Sequence, residues 1–272
     1  MSAPPDAVGP AGREQVPQPL VEVGDLRVAF HGRPVASLPE LTLGAGECVA
    51  LVGESGSGKT TSLLAMLGLL GPGAQVSGSV RVCGVDVLTA SDRQLRSIRG
   101  VRIALVLQSP QAALNPTMRL GTLARRTLAL HGVKSAQAQD RISEALASVR
   151  LPEDIARRYP HQVSGGQAQR FGIAMAVALG ADVIAADEPT SALDVTVQAE
   201  VIGLLQRLRA ERGMALLLVS HDLALVSTLA DRVVVMRDGA VVESGRTDRV
   251  LATPAHAYTR ELIAAVPTLE GA

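Results

Sequence analysis

The sequence predicts an α/β fold: a sheet domain of alternating strands and helices that carries an inserted all-helical arm. The prediction rests on the order of its patterns. A short apolar run, Cys48–Val52, passes through a glycine-rich turn into the apolar, helix-like stretch Thr61–Leu67. From Asp182 onward, apolar runs of strand length alternate with helical patterns. Between these, from about residue 108 to residue 180, the periodicity is mostly helical, punctuated by Pro110, Pro116, Pro152 and Pro160.

In chain order, residues 1–19 are rich in proline, glycine and alanine without periodicity, and a disordered tail is expected there. Val21–Phe30 and Leu41–Leu43 read as strands, and Gly44-Ala45-Gly46 turns the chain into the strand Cys48–Val52. Gly78–Val87 reads as β, Asp92–Arg99 as a short polar helix and Val101–Leu107 as a β-rich apolar run. Within the arm, Ser135–Val149 places apolar residues at helical spacing. Asp182–Asp187 is a strand, Val195–Arg212 a helix, Met214–Ser220 a strand and Leu223–Ala230 a helix. Arg232–Met236 and Ala240–Glu243 pair across the turn Arg237-Asp238-Gly239, and a short helical segment closes the chain. One domain over residues 20–265 is expected, with 266–272 as a tail.

The 272 residues suffice for one large domain, or a domain with an inserted subdomain. Hydrophobic residues make up 47% and aromatics only 1%, so Ala, Val and Leu build the core and few rings remain to stack on bases. A formal net charge of zero argues against strong non-specific binding to nucleic acid or anionic lipid. Cys48 and Cys83 lie in separate apolar runs without metal-ligand spacing and read as small buried hydrophobes. The opening residues lack the apolar segment of a signal peptide. No apolar run approaches the ~18–20 residues of a spanning helix. A cytoplasmic protein is expected, touching a membrane only through a partner.

The turn after Cys48–Val52 reads Gly53-Glu54-Ser55-Gly56-Ser57-Gly58-Lys59-Thr60, which fits G-x-x-x-x-G-K-[ST] at every fixed position. Its glycines let backbone N–H groups converge on a phosphate chain, and the helix N-terminus adds a favourable dipole. Lys59 is placed to reach the β- and γ-phosphates, the Thr60 hydroxyl to ligate Mg²⁺, and Thr61 continues the site. Val183–Glu188 is an apolar strand ending in two carboxylates. Beside a phosphate loop, Asp187 suits the metal and Glu188 the general base. Val163-Ser164-Gly165-Gly166-Gln167 precedes an apolar helix; Ser164 is a good N-cap, and the paired glycines expose N–H groups to an anion. Simple helix capping is the plain alternative for that segment. Ser191-Ala192-Leu193-Asp194 follows the carboxylates, and Ser220-His221-Asp222 follows a strand, where the imidazole is either structural or a γ-phosphate contact.

Taken in this order, the motifs resemble the ATP-hydrolysing cassette of ABC transporters over roughly residues 20–265, with Gln108 standing where that family has its Q-loop glutamine. The resemblance implies a P-loop NTPase domain with an antiparallel β subdomain and an inserted helical subdomain, using ATP and Mg²⁺. It implies that two cassettes sandwich two ATP molecules head to tail. Ser164, Gly165, Gly166 and Gln167, with Asp194, would then act on nucleotide across the interface. Gln108 would sense the γ-phosphate or Mg²⁺, and His221 would hold the γ-phosphate. Phe30 stands at the position of the family's adenine-stacking aromatic, although a phenylalanine at a strand end is equally a core residue. Val163 replaces the family's more usual leucine, an apolar exchange without expected loss.

Further segments resemble the branch that imports peptides, nickel and related solutes: Gln108–Pro116, Leu193–Ala199 and Pro254-Ala255-His256-Ala257-Tyr258-Thr259. This implies two membrane permease subunits, a second ATPase forming a homo- or heterodimer, an extracytoplasmic binding protein, and no nucleic acid. The chain would sit on the cytoplasmic face of the membrane. The cysteine cluster of some longer branch members is missing, so no iron–sulfur centre is expected. Three alternatives stay open: the ATPase of a phosphonate-degrading complex, a soluble non-transport ATPase and an exporter component.

Overall fold

The computed structural model describes residues 18–265. The tails expected at 1–19 and 266–272 lie, apart from residues 18 and 19, outside the described residues. The strands are β1 (Val21–Phe30), β2 (Arg33–Leu43), β3 (Cys48–Val52), β4 (Ala74–Val82), β5 (Val85–Asp86), β6 (Ile103–Val106), β7 (Val183–Asp187), β8 (Ala215–Ser220), β9 (Arg232–Arg237) and β10 (Ala240–Arg246). The helices are α1 (Lys59–Met66), α2 (Asp92–Ile98), α3 (Pro110–Ala113), α4 (Leu120–Leu130), α5 (Ser135–Ser148), α6 (Gly165–Leu179), α7 (Val195–Arg212), α8 (Leu223–Leu229), α9 (Thr247–Ala252) and α10 (Ala257–Ala264).

The strands form one sheet in the order β5-β4-β1-β2-β10-β9-β3-β8-β7-β6. Strands β9, β3, β8, β7 and β6 run parallel. At the other end β2, β1, β4 and β5 are antiparallel neighbours. Strand β10 joins the halves, antiparallel to β9 and touching β2 through the pair Ala240–Ser37. The run from α3 to α6 lies between β6 and β7 and supplies the helical arm.

Strand pleating divides the apolar residues between two cores. Side chains alternate faces along a strand, and a parallel strand buried on both faces reads as a continuous apolar run. Thus Cys48, Ala50 and Val52 of β3 face a core shared with Ile184 of β7, Leu216 of β8 and helices α4–α8. Val49 and Leu51 face the other core, shared with Leu63 of α1 and Val21, Leu26 and Leu38 of the antiparallel strands. Burial pushes the Cys48 thiol up to about 12, in keeping with an inert core position. Cys83 is half-buried at the turn between β4 and β5, so it is not a full core residue.

The structure extends two strands beyond their expected limits. β2 runs from Arg33 rather than Leu41, because Pro34, Pro39 and alternating exposed residues hide an antiparallel strand whose other face is buried. β4 begins at Ala74, four residues before Gly78. That glycine, at φ 104, lies within the strand and not at its start, where a Cβ would collide with the Asp25 carbonyl.

Candidate nucleotide site

The parallel strands end together, and the candidate residues cluster there. Val52 pairs with Ser220 and with Val235, and Asp187 pairs with Val219. Register alone therefore brings Gly53, Glu188 and His221 to one crevice beyond the carboxyl ends of the strands, where open α/β sheets bind ligands. The cleft encloses ≈ 960 Å³, within the ~300–1,000 Å³ usual for small-molecule sites. Gly53, Glu54, Ser55, Gly56, Ser57, Gly58, Lys59, Thr60, Thr61, Gln108, Glu188 and His221 all line it. So do Val35 of β2 and Glu261, Leu262 and Ala265 from the C-terminal end of the described chain.

The loop closes because its ends lack side chains. Gly53 adopts φ 146 against the Met236 carbonyl, and a Cβ on Gly58, at φ 94, would come 2.8 Å from the Val35 carbonyl. Lys59 is 6% exposed. Its Nζ donates to the carbonyls of Gly53 (2.8 Å) and Glu54 (2.8 Å) and to Ser57 Oγ (3.4 Å). Burial draws the ammonium below its ordinary pKa, while the nearby carboxylates of Glu188, Asp187 and Glu54 oppose that shift.

Thr60 Oγ1 donates to Asp187 Oδ1 at 3.0 Å. Burial raises the Asp187 pKa; the bond from Thr60 lowers it, the Glu188 charge raises it and the Lys59 charge lowers it. Among the described residues no three His, Cys, Asp or Glu side chains cluster as a metal site. The adjacent Thr60 hydroxyl and Asp187 carboxylate beside the phosphate loop fit a cation such as Mg²⁺ that takes few protein ligands and completes its shell with water and phosphate oxygens.

Glu188 has φ 49, left-handed backbone for a non-glycine residue. Its N–H donates to the Val219 carbonyl at 2.9 Å, which ties the twist to the end of β8. His221 Nδ1 lies 2.8 Å from Glu188 Oε1, and in the Nδ1–H tautomer the ring donates to the carboxylate. Spacing of 33 residues in sequence gives no hint of this contact. The glutamate side chain is 15% exposed and the imidazole 62%, so the pair presents its histidine to the cleft mouth.

The other candidates lie elsewhere. Phe30 is half-buried against the core of the antiparallel strands and does not line the cleft, whose wall there is Val35. Ser164 caps α6 in a reciprocal box: Gln167 N–H donates to Ser164 Oγ (3.2 Å) and Ser164 N–H to Gln167 Oε1 (3.0 Å). Gly165 and Gly166 pack on Leu193 and Val197 at the start of α7. Asp194 caps α7 by accepting from Val197 N–H at 3.0 Å. None of these residues lines the cleft of its own chain. One contact has no sequence signal: Gln111 Nε2 donates to the Val163 carbonyl at 2.7 Å, linking the segment after Gln108 to the Ser164 loop.

A phosphate loop on a parallel sheet, with paired carboxylates opposite its threonine, defines a P-loop nucleoside triphosphatase. The family model described as ABC transporter matches residues 38–191. The chain belongs to the ABC transporter family, as one of its ATP-hydrolysing cassettes. It is 45% identical over 264 residues to the peptidoglycan transport ATP-binding protein YejF of Agrobacterium fabrum, covering 94% of this chain and 48% of that protein. The chain thus spans about half the length of that relative. It is 41% identical over 266 residues to the oligopeptide transport ATP-binding protein OppD of Salmonella typhimurium, covering 94% of this chain and 79% of OppD. Among solved structures it resembles the ATP-binding cassette MJ0796, a dimer in a post-hydrolysis state bound to ADP and Pi. The TM-score is 0.73 at 28% identity, covering 84% of this chain and 98% of that one.

Proposed function

We propose that this chain drives uptake of peptide-like solutes, working with a second cassette and with separate membrane permeases. One observation carries the reading: Lys59, the Thr60–Asp187 pair and the Glu188–His221 pair converge on one cleft at the strand ends. Lys59 binds the β- and γ-phosphates of ATP, and the N–H groups of residues 55–60 hold their oxygens. Thr60 and Asp187 hold Mg²⁺, which neutralises phosphate charge when bound. Water adds to the γ-phosphorus as the bond to the β-bridging oxygen breaks, releasing ADP and phosphate. Glu188 takes the proton of that water, and His221 holds the γ-phosphate and the carboxylate in register. Gln108 contacts the γ-phosphate or the cation from the cleft rim.

Ser164–Gln167 and Asp194, remote from this cleft, act on nucleotide held by the second cassette. Among the described residues no helix is long and apolar enough to cross a membrane. The cassette therefore reaches the cytoplasmic face of the membrane through permeases, and an extracytoplasmic binding protein delivers the solute. The cargo named for OppD favours peptides over nickel. The names of these relatives also favour transport over a phosphonate-degrading complex.

Glu188→Gln tests the site. Steady-state ATP hydrolysis is expected to fall about a hundredfold or more, with nucleotide binding retained and a closed dimer accumulating on size exclusion. Unchanged turnover removes Glu188 from the role of base. Affinity purification from solubilised membranes tests the assembly: permeases should co-purify, whereas soluble enzymes alone would favour the phosphonate complex.

A further inference from the structure

The segment Pro254–Thr259 has no part in the chemistry above, yet it reaches the phosphate loop. Tyr258, 2% exposed, accepts the Glu54 N–H on its Oη at 3.0 Å, across 204 residues of sequence. The next atoms of the same residue complete a relay, because the Glu54 carbonyl accepts from Lys59 Nζ at 2.8 Å. The phenol therefore fixes one face of the residue whose other face holds the ammonium.

The ring is itself held. The Arg237 guanidinium, from the end of β9, lies over it at 4.7 Å from the centroid. Glu243 of β10 accepts from Ala255 N–H (2.8 Å) and His256 N–H (3.0 Å), clamping the approach to α10. His256 Nδ1 accepts from the Tyr258 N–H at 3.2 Å, capping that helix. A chain of hydrogen bonds and packing thus runs from β9 and β10 through Tyr258 to the phosphate loop.

We infer that Tyr258 is a positioning residue for ATP, holding Glu54 so that the loop keeps its nucleotide-competent shape. The inference rests on the proposed use of the loop for ATP. Without the hydroxyl, the Glu54 N–H loses its partner in the closed loop, and open loop conformers gain population. Apparent affinity falls in proportion to the competent fraction that remains. Chemistry inside a filled site does not change, because Tyr258 touches neither Glu188 nor His221.

The test uses the full chain and a fluorescent ATP analogue with Mg²⁺. Tyr258→Phe keeps the ring and its contact with Arg237 and removes only the hydroxyl. Its Kd is expected to rise about three- to tenfold, with KM for ATP rising alike and kcat unchanged. Hydrogen exchange at the Glu54 amide should quicken, while the melting temperature falls by no more than about 2–4 °C. Glu243→Ala, which loosens the clamp without touching loop or nucleotide, should shift Kd the same way by a smaller factor. A wild-type Kd and KM in Tyr258→Phe would overturn the inference, and so would a fall in kcat with KM unchanged. If the wild-type chain bound no nucleotide, the ATP reading of the loop would fall first and this inference with it.

Discussion

Asp187 sits where burial works against its own charge. Its raised folded pKa means that its contribution to stability is intact below the ordinary carboxylate range. That contribution is lost as pH rises through the folded value, so at neutral pH the native state bears a cost. Asp187→Asn removes the charge while its amide oxygen still accepts from Thr60. We expect it to melt higher than wild type at pH 7, with the gain shrinking as pH falls toward the ordinary carboxylate range and Mg²⁺-dependent hydrolysis lost. Calorimetry across that span of pH checks the sign; a lower melting temperature at pH 7 would contradict it. The placement of Lys59, Thr60 and Asp187 at the strand ends is legible in the sequence because each sits at a fixed offset from an apolar run. The Glu188–His221 contact is not, because it depends on the pairing of Asp187 with Val219 between two strands.

The start of α6 presses on the start of α7 through Gly166, and a Cβ there would overlap Val197 Cγ1. Valine has one stiff χ1 and cannot swing aside. Gly166→Ala is therefore expected to destabilise the chain by about 1–3 kcal/mol, and Val197→Ala should restore much of that loss. Urea denaturation of the two single variants and the pair measures the coupling; additive losses would remove the contact as the cause. The sequence marks α6 well, since Ser164, the glycines and the apolar run coincide. It marks β2 poorly. Prolines and exposed charges are compatible with a strand whose one edge is nearly unpaired, touching β10 only through Ala240–Ser37, and local composition cannot reveal which elements will bury one of its faces.

At the scale of the whole fold, the motif Ser164–Gln167 lies outside the cleft that holds Lys59. On the proposed head-to-tail pairing of cassettes, a single copy contributes one half to each of two sites. Ser164→Arg should leave analogue binding within about twofold of wild type while abolishing ATP-dependent dimerisation. Hydrolysis should drop about tenfold or more, because a guanidinium would be buried at the interface without a partner. Loss of binding instead would place Ser164 in the cleft of its own chain. The strand–helix alternation and the helical insertion are readable from apolar run lengths and prolines. How the C-terminal segment returns to the phosphate loop was not, because that contact spans 204 residues. Folding also settles in advance a problem that ligands usually meet on arrival. Stripping water from an ammonium is costly, and here the loop's own carbonyls replace that water before any nucleotide comes. Phosphate oxygens then take over from carbonyl oxygens in a swap of like ligands, so most of the dehydration is charged to the stability of the empty protein and little to the affinity for ATP.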